Sequence, residues 1–274
     1  MVNDMLEYIL NLPPSPQTQH AVCLTVAELI RRNLLSPQRV RSLYPLMSES
    51  LLYEKEEGGY SVGQAVRDAA CYMTWSVARA YEQGGRDLGI SLIIAACFDR
   101  EVGCRRAASA AYQELVGRVG DVPHGIEILT EADYFTLGPQ KNAYLNVAIF
   151  IASYEEYFCP FVEHLAYQKL RHWDLEVKRI AACSLSLMVP LNPLFFGGEV
   201  LPALVNYLDS DSATVRLGTI IGIGEVLLGL RGKSHLHQLY NEMKDSVFLK
   251  SFTQNEKKLL KAGEYMERFR QTYD

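Results

Sequence analysis

Two adjacent arginines, Arg105 and Arg106, are the residues whose types and spacing could most directly do chemistry in this sequence. A pair of guanidinium groups can hold a phosphate or a carboxylate through parallel hydrogen bonds. Cys104 directly precedes them, and a thiol beside cations is activated as a thiolate. The small-residue run AASAA at 107–111 follows, as in a tightly packed helix. The stretch is therefore a reactive thiol, an anion site or a packed helix.

The six cysteines form no CxxC pair, and no cysteine or histidine spacing is typical of a metal site. Cys104 falls on an apolar helical stripe, where burial raises the pKa of a thiol and blocks access to it. His235 and His237, two residues apart on a helix, would point to different faces. The sequence predicts no reactive thiol, no metal and no cofactor, and it favours a reducing cytosol.

Two further motifs suggest an enzyme, and neither is complete. The Gly-Lys-Ser at 232–234 lacks the glycine that a phosphate-binding loop needs, since Leu227 stands there, and it follows a helix instead of a strand. The His-Trp-Asp at 172–174 has no accompanying nucleophile motif. Its place between two helices favours capping by Asp174 and packing by Trp173. The chain is therefore predicted not to be an enzyme.

Composition narrows the class of partner and the location. A net charge of −5 gives no broad positive field for nucleic acid. The N-terminal MVNDMLEYIL has no basic region or cleavage site, so no secretory signal is expected. The longest charge-free run, 180–198, is interrupted by Pro190 and Pro193, which argues against a membrane span.

The elements that position these residues recur with a period near 37 residues. A cation followed by small and then apolar residues appears at Arg67, Arg105, Lys141, Lys178 and Arg216, with spacings of 38, 36, 37 and 38 residues. Such spacing is typical of paired-helix solenoid repeats. One face of each helix is apolar, with stripes at Val66, Ala70, Thr74 and Val77, at Cys104, Ala108, Tyr112 and Leu115, and at Val177, Ala181, Leu185 and Met188.

The period predicts an all-α, HEAT/armadillo-type α-solenoid of about five to six helix pairs, continuous over residues 1–274. The insertion at 53–60 is charged and contains glycine, so we expect an exposed, mobile loop there. Another helical region is expected at 242–271. The inner helices are predicted near 18–30, 65–81, 103–117, 140–152, 176–188 and 214–229.

The two arginines receive different roles within this repeat. Asp99 precedes Arg105 by six residues, the offset at which an acid and a cation form a structural ladder in HEAT-type repeats. Arg106 points about 100° further round the helix and is freer to meet a partner. The long loop 119–139 ends in Tyr134 and Phe135, which either cover the next repeat or anchor a partner.

The repeat, together with "SVGQAVRDAACYMTWSVARAYE" (61–82), "FDREVGCRRAASAAYQELVGRVGDVPHGIEILTEADYF" (98–135) and "HWD" (172–174), resembles the central segment of the tubulin-folding cofactor D family. The loop is the specific part, because generic solenoid helices would not share it. The resemblance implies a cytoplasmic, microtubule-associated chaperone. It would bind β-tubulin and assemble or disassemble the αβ-tubulin dimer with cofactors E and C and a small Arf-like GTPase, whose GTPase activity these cofactors jointly stimulate.

The family motifs fall on specific residues of this sequence. The ones that we expect to contact a partner are Arg106, Arg118, His124, Tyr134 and Phe135. The other matching positions are Asp99, Arg100, Arg105, Gln113, Glu114 and Asp133. The alternative is a segment that mainly contacts the GTPase or flanking repeats, with tubulin bound elsewhere. Because family members are several times longer, we expect either a middle segment or a short form; the apolar ends expected of a solenoid piece favour the segment.

Overall fold

The computed structural model describes residues 2–58, 60–81 and 86–231, and most of these are helical. The one sheet within those ranges is a two-stranded hairpin. The predicted all-α fold is thereby confirmed. Contacts between Cα atoms divide the chain into two units, Met1–Val147 and Ala148–Asp274, and the single continuous solenoid stays a prediction. The helix expected at 242–271, the Gly-Lys-Ser at 232–234 and His235 and His237 lie outside the described residues.

The first unit is built from α-helices and one hairpin. Its helices are α1 (Val2–Leu10), α2 (Pro16–Arg31), α3 (Pro37–Ser42), α4 (Tyr44–Leu51), α5 (Gln64–Ala80), α6 (Arg86–Phe98), α7 (Val102–Val119), α8 (Gly125–Glu131) and α9 (Gln140–Asn142), which continues as a π-helical turn, Ala143–Val147.

The start of α2 shows how local sequence sets a helix boundary. The Ser15 side chain accepts a hydrogen bond from the backbone N–H of Thr18 at 3.0 Å, and Pro16 occupies the first helical position. The hydroxyl satisfies an amide that has no intrahelical partner, and proline at that position has no amide to satisfy. α3 begins in the same way, with Ser36 as its cap and Pro37 following it.

Helices α2, α5 and α7 pack side by side, while α4 and α6 pack against them. The core lies where these two layers meet. The stripe residues predicted on α5 and α7 are buried, including the polar Thr74, whose hydroxyl donates to the Ala70 carbonyl at 3.0 Å. Thr74 can therefore lie in the core, because its hydroxyl is hydrogen-bonded to the backbone of its own helix.

The insertion at 53–60 differs from the expected irregular loop. β1 (Lys55–Glu57) pairs antiparallel with β2 (Tyr60–Val62), and Lys55 lies opposite Val62. Residues 55–57 are exposed, as predicted. Gly63 joins the hairpin to α5 with φ of 121°, where a side chain would also meet the Tyr53 ring at 2.7 Å. Glycine suits this junction between β2 and α5, because residues with a side chain rarely adopt that conformation.

The second unit begins with α10 (Ala148–Ala152) and α11 (Glu155–Tyr167). Further along are α12 (Leu175–Met188), α13 (Pro193–Phe195), α14 (Leu201–Asn206) and α15 (Ala213–Arg231), with 3₁₀ turns at Lys169–Arg171, Val189–Leu191 and Tyr207–Asp209 and a π-helical turn at Phe196–Val200. The predicted stripe on α12 is buried. Asp174 caps α12, as predicted, by accepting from the Glu176 N–H at 3.0 Å.

Helix α15 packs closely against α12 and the turn before it. A methyl group added at Gly218 would overlap the carbonyl oxygen of Leu170, and one at Gly222 would overlap the Leu170 side chain. By length and composition alone, the window Ala213–Leu230 is apolar enough to cross a membrane, and half of it is buried within the unit. Packing in the core of the unit accounts for that apolar character.

Candidate functional site

The ladder predicted between Asp99 and Arg105 has a different geometry. The Asp99 carboxylate pairs with Arg67, the cation of the preceding repeat, with Nε–Oδ2 at 2.6 Å and Nη2–Oδ1 at 3.2 Å. Both side chains are buried. The predicted pairing of the Asp99 and Arg105 side chains is therefore wrong. The Asp99 carboxylate faces α5 and pairs with Arg67, so the ion pair links two successive repeats.

Arg105 is held by main-chain oxygens instead. Its guanidinium donates to the carbonyls of Asp99 and Arg100 at 2.9 Å each, to Leu137 at 2.8 Å and to Gly138 at 2.6 Å. Only 2% of the residue is exposed, so Arg105 cannot meet a partner. It joins the start of α7 to the end of the loop 119–139.

Arg216 repeats half of this arrangement in the second unit. It donates to the carbonyls of Ser210 and Asp211, which lie six and five residues before it, as Asp99 and Arg100 lie before Arg105. Lys178 donates to the Thr214 carbonyl at 2.9 Å. Three of the recurring cations, Arg105, Lys178 and Arg216, thus donate to backbone carbonyls, and Arg105 is structural.

Arg106 lies beside the aromatic pair of the loop. Its Cζ is 3.7 Å from the centroid of the Tyr134 ring, and its Nε donates to the Tyr134 carbonyl at 3.2 Å. Tyr134 and Phe135 meet edge to face at 5.4 Å and are 56% and 77% exposed. The alternative in which they cover the next repeat is therefore wrong, because most of both side chains faces solvent. We call Arg106, Tyr134 and Phe135 the aromatic patch.

The loop under the aromatic patch is ordered by Asp133. Its carboxylate accepts from the backbone N–H groups of Phe135 and Thr136 at 2.7 Å each, and these bonds hold the pKa of Asp133 below its usual value. The Asn142 amide donates to the Thr136 carbonyl at 2.8 Å. The patch is thus presented on a pre-organised turn.

Arg118 and His124 lie apart from the aromatic patch. Twelve residues of helix separate Arg106 from Arg118, a rise of about 18 Å. Arg118 pairs with Glu114 one turn earlier. His124 is exposed, with φ of 53°, and it begins α8. The structure therefore brings together three of the five expected contact residues and places two at the other end of α7.

A second feature, absent from the sequence prediction, crosses α2, α5 and α7. Glu28 accepts from Arg31 at 2.9 Å and from the Tyr72 hydroxyl at 2.7 Å, while Arg32 lies 3.2 Å away. Tyr72 stacks on Trp75 with centroids 5.9 Å apart. These contacts, chiefly the hydrogen bonds from Arg31 and Tyr72, lower the pKa of Glu28 to about 2, so its charge is constant at neutral pH.

The same row continues onto α7. Arg79 lies 4.7 Å from the centroid of the Trp75 ring, and its Nη1 is 3.4 Å from Glu114. Glu114 in turn accepts from Arg118. We call this row the arginine–aromatic strip, and its members are Glu28, Arg31, Arg32, Tyr72, Trp75, Arg79, Glu114 and Arg118. The available sequence signal was that Tyr72 and Trp75 lie off the buried stripe of α5.

Cys97 and Cys104, the two thiols near the arginine pair, are buried. Burial raises the pKa of the Cys104 thiol to about 12. It also raises the pKa of the Cys97 thiol. In the described ranges no group of three or more His, Cys, Asp or Glu residues could hold a metal ion. His172 is buried and accepts from the Asp174 N–H at 2.9 Å, so it serves the cap of α12.

We expect Cys159 to react first with a thiol reagent in the native chain, because it is the exposed cysteine while Cys97 and Cys104 are buried. The check is peptide mapping after brief alkylation near pH 8. Equal labelling of Cys104 would contradict its place in the core, and a sample alkylated in denaturant shows that all six thiols can react.

Comparisons with known proteins agree with the repeat architecture. Residues 1–126 match a family model described as tubulin-specific chaperone D-like, ARM repeats. Tubulin-specific chaperone D of Dictyostelium discoideum is 35% identical over 265 residues, which cover 94% of this chain and 18% of that protein. Tubulin-folding cofactor D of Schizosaccharomyces pombe is 27% identical over 256 residues, which cover 88% of this chain and 23% of that protein. No solved structure matches the chain.

The chain spans less than a quarter of the length of either relative. The similarity also extends beyond residues 61–182, where the resemblance was densest, since the first relative aligns with 94% of the chain. The resemblance read from the sequence is therefore confirmed: residues 1–126 are similar to the tubulin-specific chaperone D-like armadillo repeats, and nearly the whole chain is similar to part of the Dictyostelium protein.

Proposed function

We propose that this chain is a non-catalytic helical-repeat scaffold of a tubulin-folding cofactor. The observation that carries the proposal is its similarity, over nearly its whole length, to proteins named tubulin-specific chaperone D and tubulin-folding cofactor D. The described geometry supports a scaffold, because Arg105 and Cys104, which suggested chemistry, are buried within the repeats. The chain acts in the cytoplasm and on microtubules.

In this proposal the scaffold binds β-tubulin and helps assemble or disassemble the αβ-tubulin dimer. It does so with cofactors E and C and a small Arf-like GTPase, whose activation depends on the assembled set. The competing possibility is that this segment contacts the GTPase or flanking repeats and that tubulin binds elsewhere.

The aromatic patch is the surface that we assign to tubulin. Residues that dominate binding at protein interfaces are enriched in tyrosine, tryptophan and arginine, and truncating one such residue costs about 2 kcal/mol or more. Asp133 and Arg106 hold the turn of the patch before any partner arrives, so little further ordering is needed on binding. The free guanidinium edge of Arg106 is suited to a carboxylate of the partner.

The double variant Arg106→Ala and Tyr134→Ala should lose at least about tenfold in affinity for tubulin, because two hot-spot side chains are removed. Its melting temperature should change little, since Tyr134 is 56% exposed. The measurement is binding of the full chain to labelled tubulin dimer, cofactor E and the GTPase in parallel.

A matched control is the double variant Tyr8→Ala and Arg179→Ala. It removes an exposed tyrosine of the first unit and an arginine of the second unit. Unchanged tubulin affinity in a folded Arg106 and Tyr134 variant would remove the aromatic patch from the proposal. Binding of the wild-type chain to the GTPase but not to tubulin would favour the competing possibility.

A further inference from the structure

The arginine–aromatic strip forms a second surface of the first unit, separate from the aromatic patch. Its contacts run without interruption from Arg32 at the end of α2, through Tyr72 and Trp75 on α5, to Arg118 on α7. Nothing in the packing of the core requires this row, because it lies off the buried stripes. We propose that the strip, with the groove beside it, binds an extended acidic peptide segment that carries one bulky apolar side chain.

Charge is the first argument for an acidic segment. The strip contains four arginines and two glutamates, and each glutamate already lies between two arginines. Two positive charges are therefore left over within the strip. The arginine side chains are 46–63% exposed, so their guanidinium groups are accessible to carboxylates of a partner.

The arginines of the strip are also held in place before a partner binds. Arg79 lies on the Trp75 ring, which is stacked on Tyr72. Arg118 contacts Glu114 through Nε, and within the described residues its two terminal nitrogens have no contact. A planar fork that is fixed in this way can bind a carboxylate with two hydrogen bonds and little loss of side-chain entropy.

An open groove adjoins the strip and can hold an apolar side chain. It has a volume of about 930 Å³, and its apolar lining includes Trp75, Val116, Ile126 and Leu129. Ile126 is 75% exposed, so it adds accessible apolar surface to the lining of the groove. Glu114 and Arg118 line the same groove, so an apolar side chain bound there would have neighbouring carboxylates within reach of the strip.

The geometry also sets the length and class of the occupant. Three helices packed at 8–10 Å spacing are crossed in about 20 Å, which an extended peptide spans with about six residues. Nucleic acid fits less well, because it carries a phosphate on every nucleotide and some of these would meet Glu28 and Glu114, whereas a peptide can place its few carboxylates at the arginines. The inference goes beyond the proposed function and does not depend on it.

The test uses the full chain with Trp173→Phe, so that Trp75 is the remaining tryptophan. The probe is a synthetic peptide with glutamates on both sides of one phenylalanine, titrated at low salt while Trp75 fluorescence is followed. We expect saturable binding that weakens as salt is added. The peptide with serine for phenylalanine should bind more weakly, and one with lysines for glutamates should not bind.

Arg79→Gln with Arg118→Gln should weaken binding of this peptide by at least about tenfold, because two charged hydrogen-bond donors are lost. Arg179→Gln, an arginine of the second unit that also pairs with a glutamate, is the matched control and should bind as the parent does. A melting curve for each variant separates lost binding from lost folding, and an inserted phenylalanine should change Trp75 fluorescence directly.

No saturable binding of the glutamate–phenylalanine peptide would overturn the proposal. So would equal binding by the folded Arg79 and Arg118 variant. A single-stranded oligonucleotide that competes as well as the peptide would replace the acidic peptide with a nucleic acid. None of these results bears on tubulin binding at the aromatic patch, so the two proposals fail separately.

Discussion

Arg105→Ala should lower the free energy of unfolding of the first unit by about 3–4 kcal/mol, whereas Arg106→Ala should lower it by about 1 kcal/mol or less. Arg105 is buried and makes four hydrogen bonds to backbone carbonyls, each of which contributes about 1 kcal/mol net. Two of those carbonyls belong to the end of the loop 119–139, so the loop also loses its attachment to α7. Arg106 contributes one cation–π contact and one long hydrogen bond at the surface.

The measurement is urea unfolding followed by Trp75 fluorescence in a Trp173→Phe background, which reports on the first unit alone. A loss of 3 kcal/mol corresponds to a melting temperature lower by roughly 6–12 °C for a unit of this size. Arg105→Lys should fall between the wild type and alanine, because one ammonium group cannot reach all four carbonyls. Equal losses for Arg105→Ala and Arg106→Ala would mean that the carbonyl contacts do not stabilise the unit.

The recurring cation was visible in the sequence because it has a fixed place in each repeat. The residue with which it pairs could not be identified from the sequence. Asp99 stands six residues before Arg105, but its carboxylate pairs with Arg67, 32 residues earlier. Sequence spacing gives the offset between two residues, whereas the direction in which a side chain leaves the turn is set by the packing of the neighbouring helix. A carbonyl acceptor, such as that of Leu137, has no sequence signature at all.

The hairpin was missed for a different reason. Its strands are three residues each, and β1 is Lys-Glu-Glu with all three residues exposed. A strand of that kind has no apolar–polar alternation from which it could be predicted. The positive φ of Gly63, which follows β2, likewise belongs to the three-dimensional structure and not to the sequence pattern.

The candidate site was predictable in part. The length of the loop 119–139 pointed to Tyr134 and Phe135, because a connection that long usually carries a function. The arginine–aromatic strip was not predictable, because Glu28 and Tyr72 are separated by 44 residues and Arg79 and Glu114 lie on different helices. Each helix contributes only two or three residues of the strip, and in the sequence of one helix these cannot be told from other solvent-facing residues.

Gly218→Ala should destabilise the second unit by more than about 3 kcal/mol, although alanine is the better helix former by about 1 kcal/mol. The added methyl group would overlap the Leu170 carbonyl oxygen, so α15 could keep its place only if backbone moved. Overpacking against flexible side chains costs about 1–3 kcal/mol. The cost is expected to be higher here, because a backbone carbonyl held in a 3₁₀ turn can move less than a side chain. The measurement is urea unfolding followed by Trp173 fluorescence in a Trp75→Phe background.

Gly198→Ala is the matched control in the same unit, because a methyl group there meets no atom within 4 Å. It should be neutral or slightly stabilising, since alanine restricts the unfolded chain more than glycine does. Gly222→Ala should fall between the two, because the Leu170 side chain that it meets can change rotamer more easily than a carbonyl can move. If Gly218→Ala and Gly198→Ala unfolded at the same urea concentration, the close approach of α15 to Leu170 would be wrong.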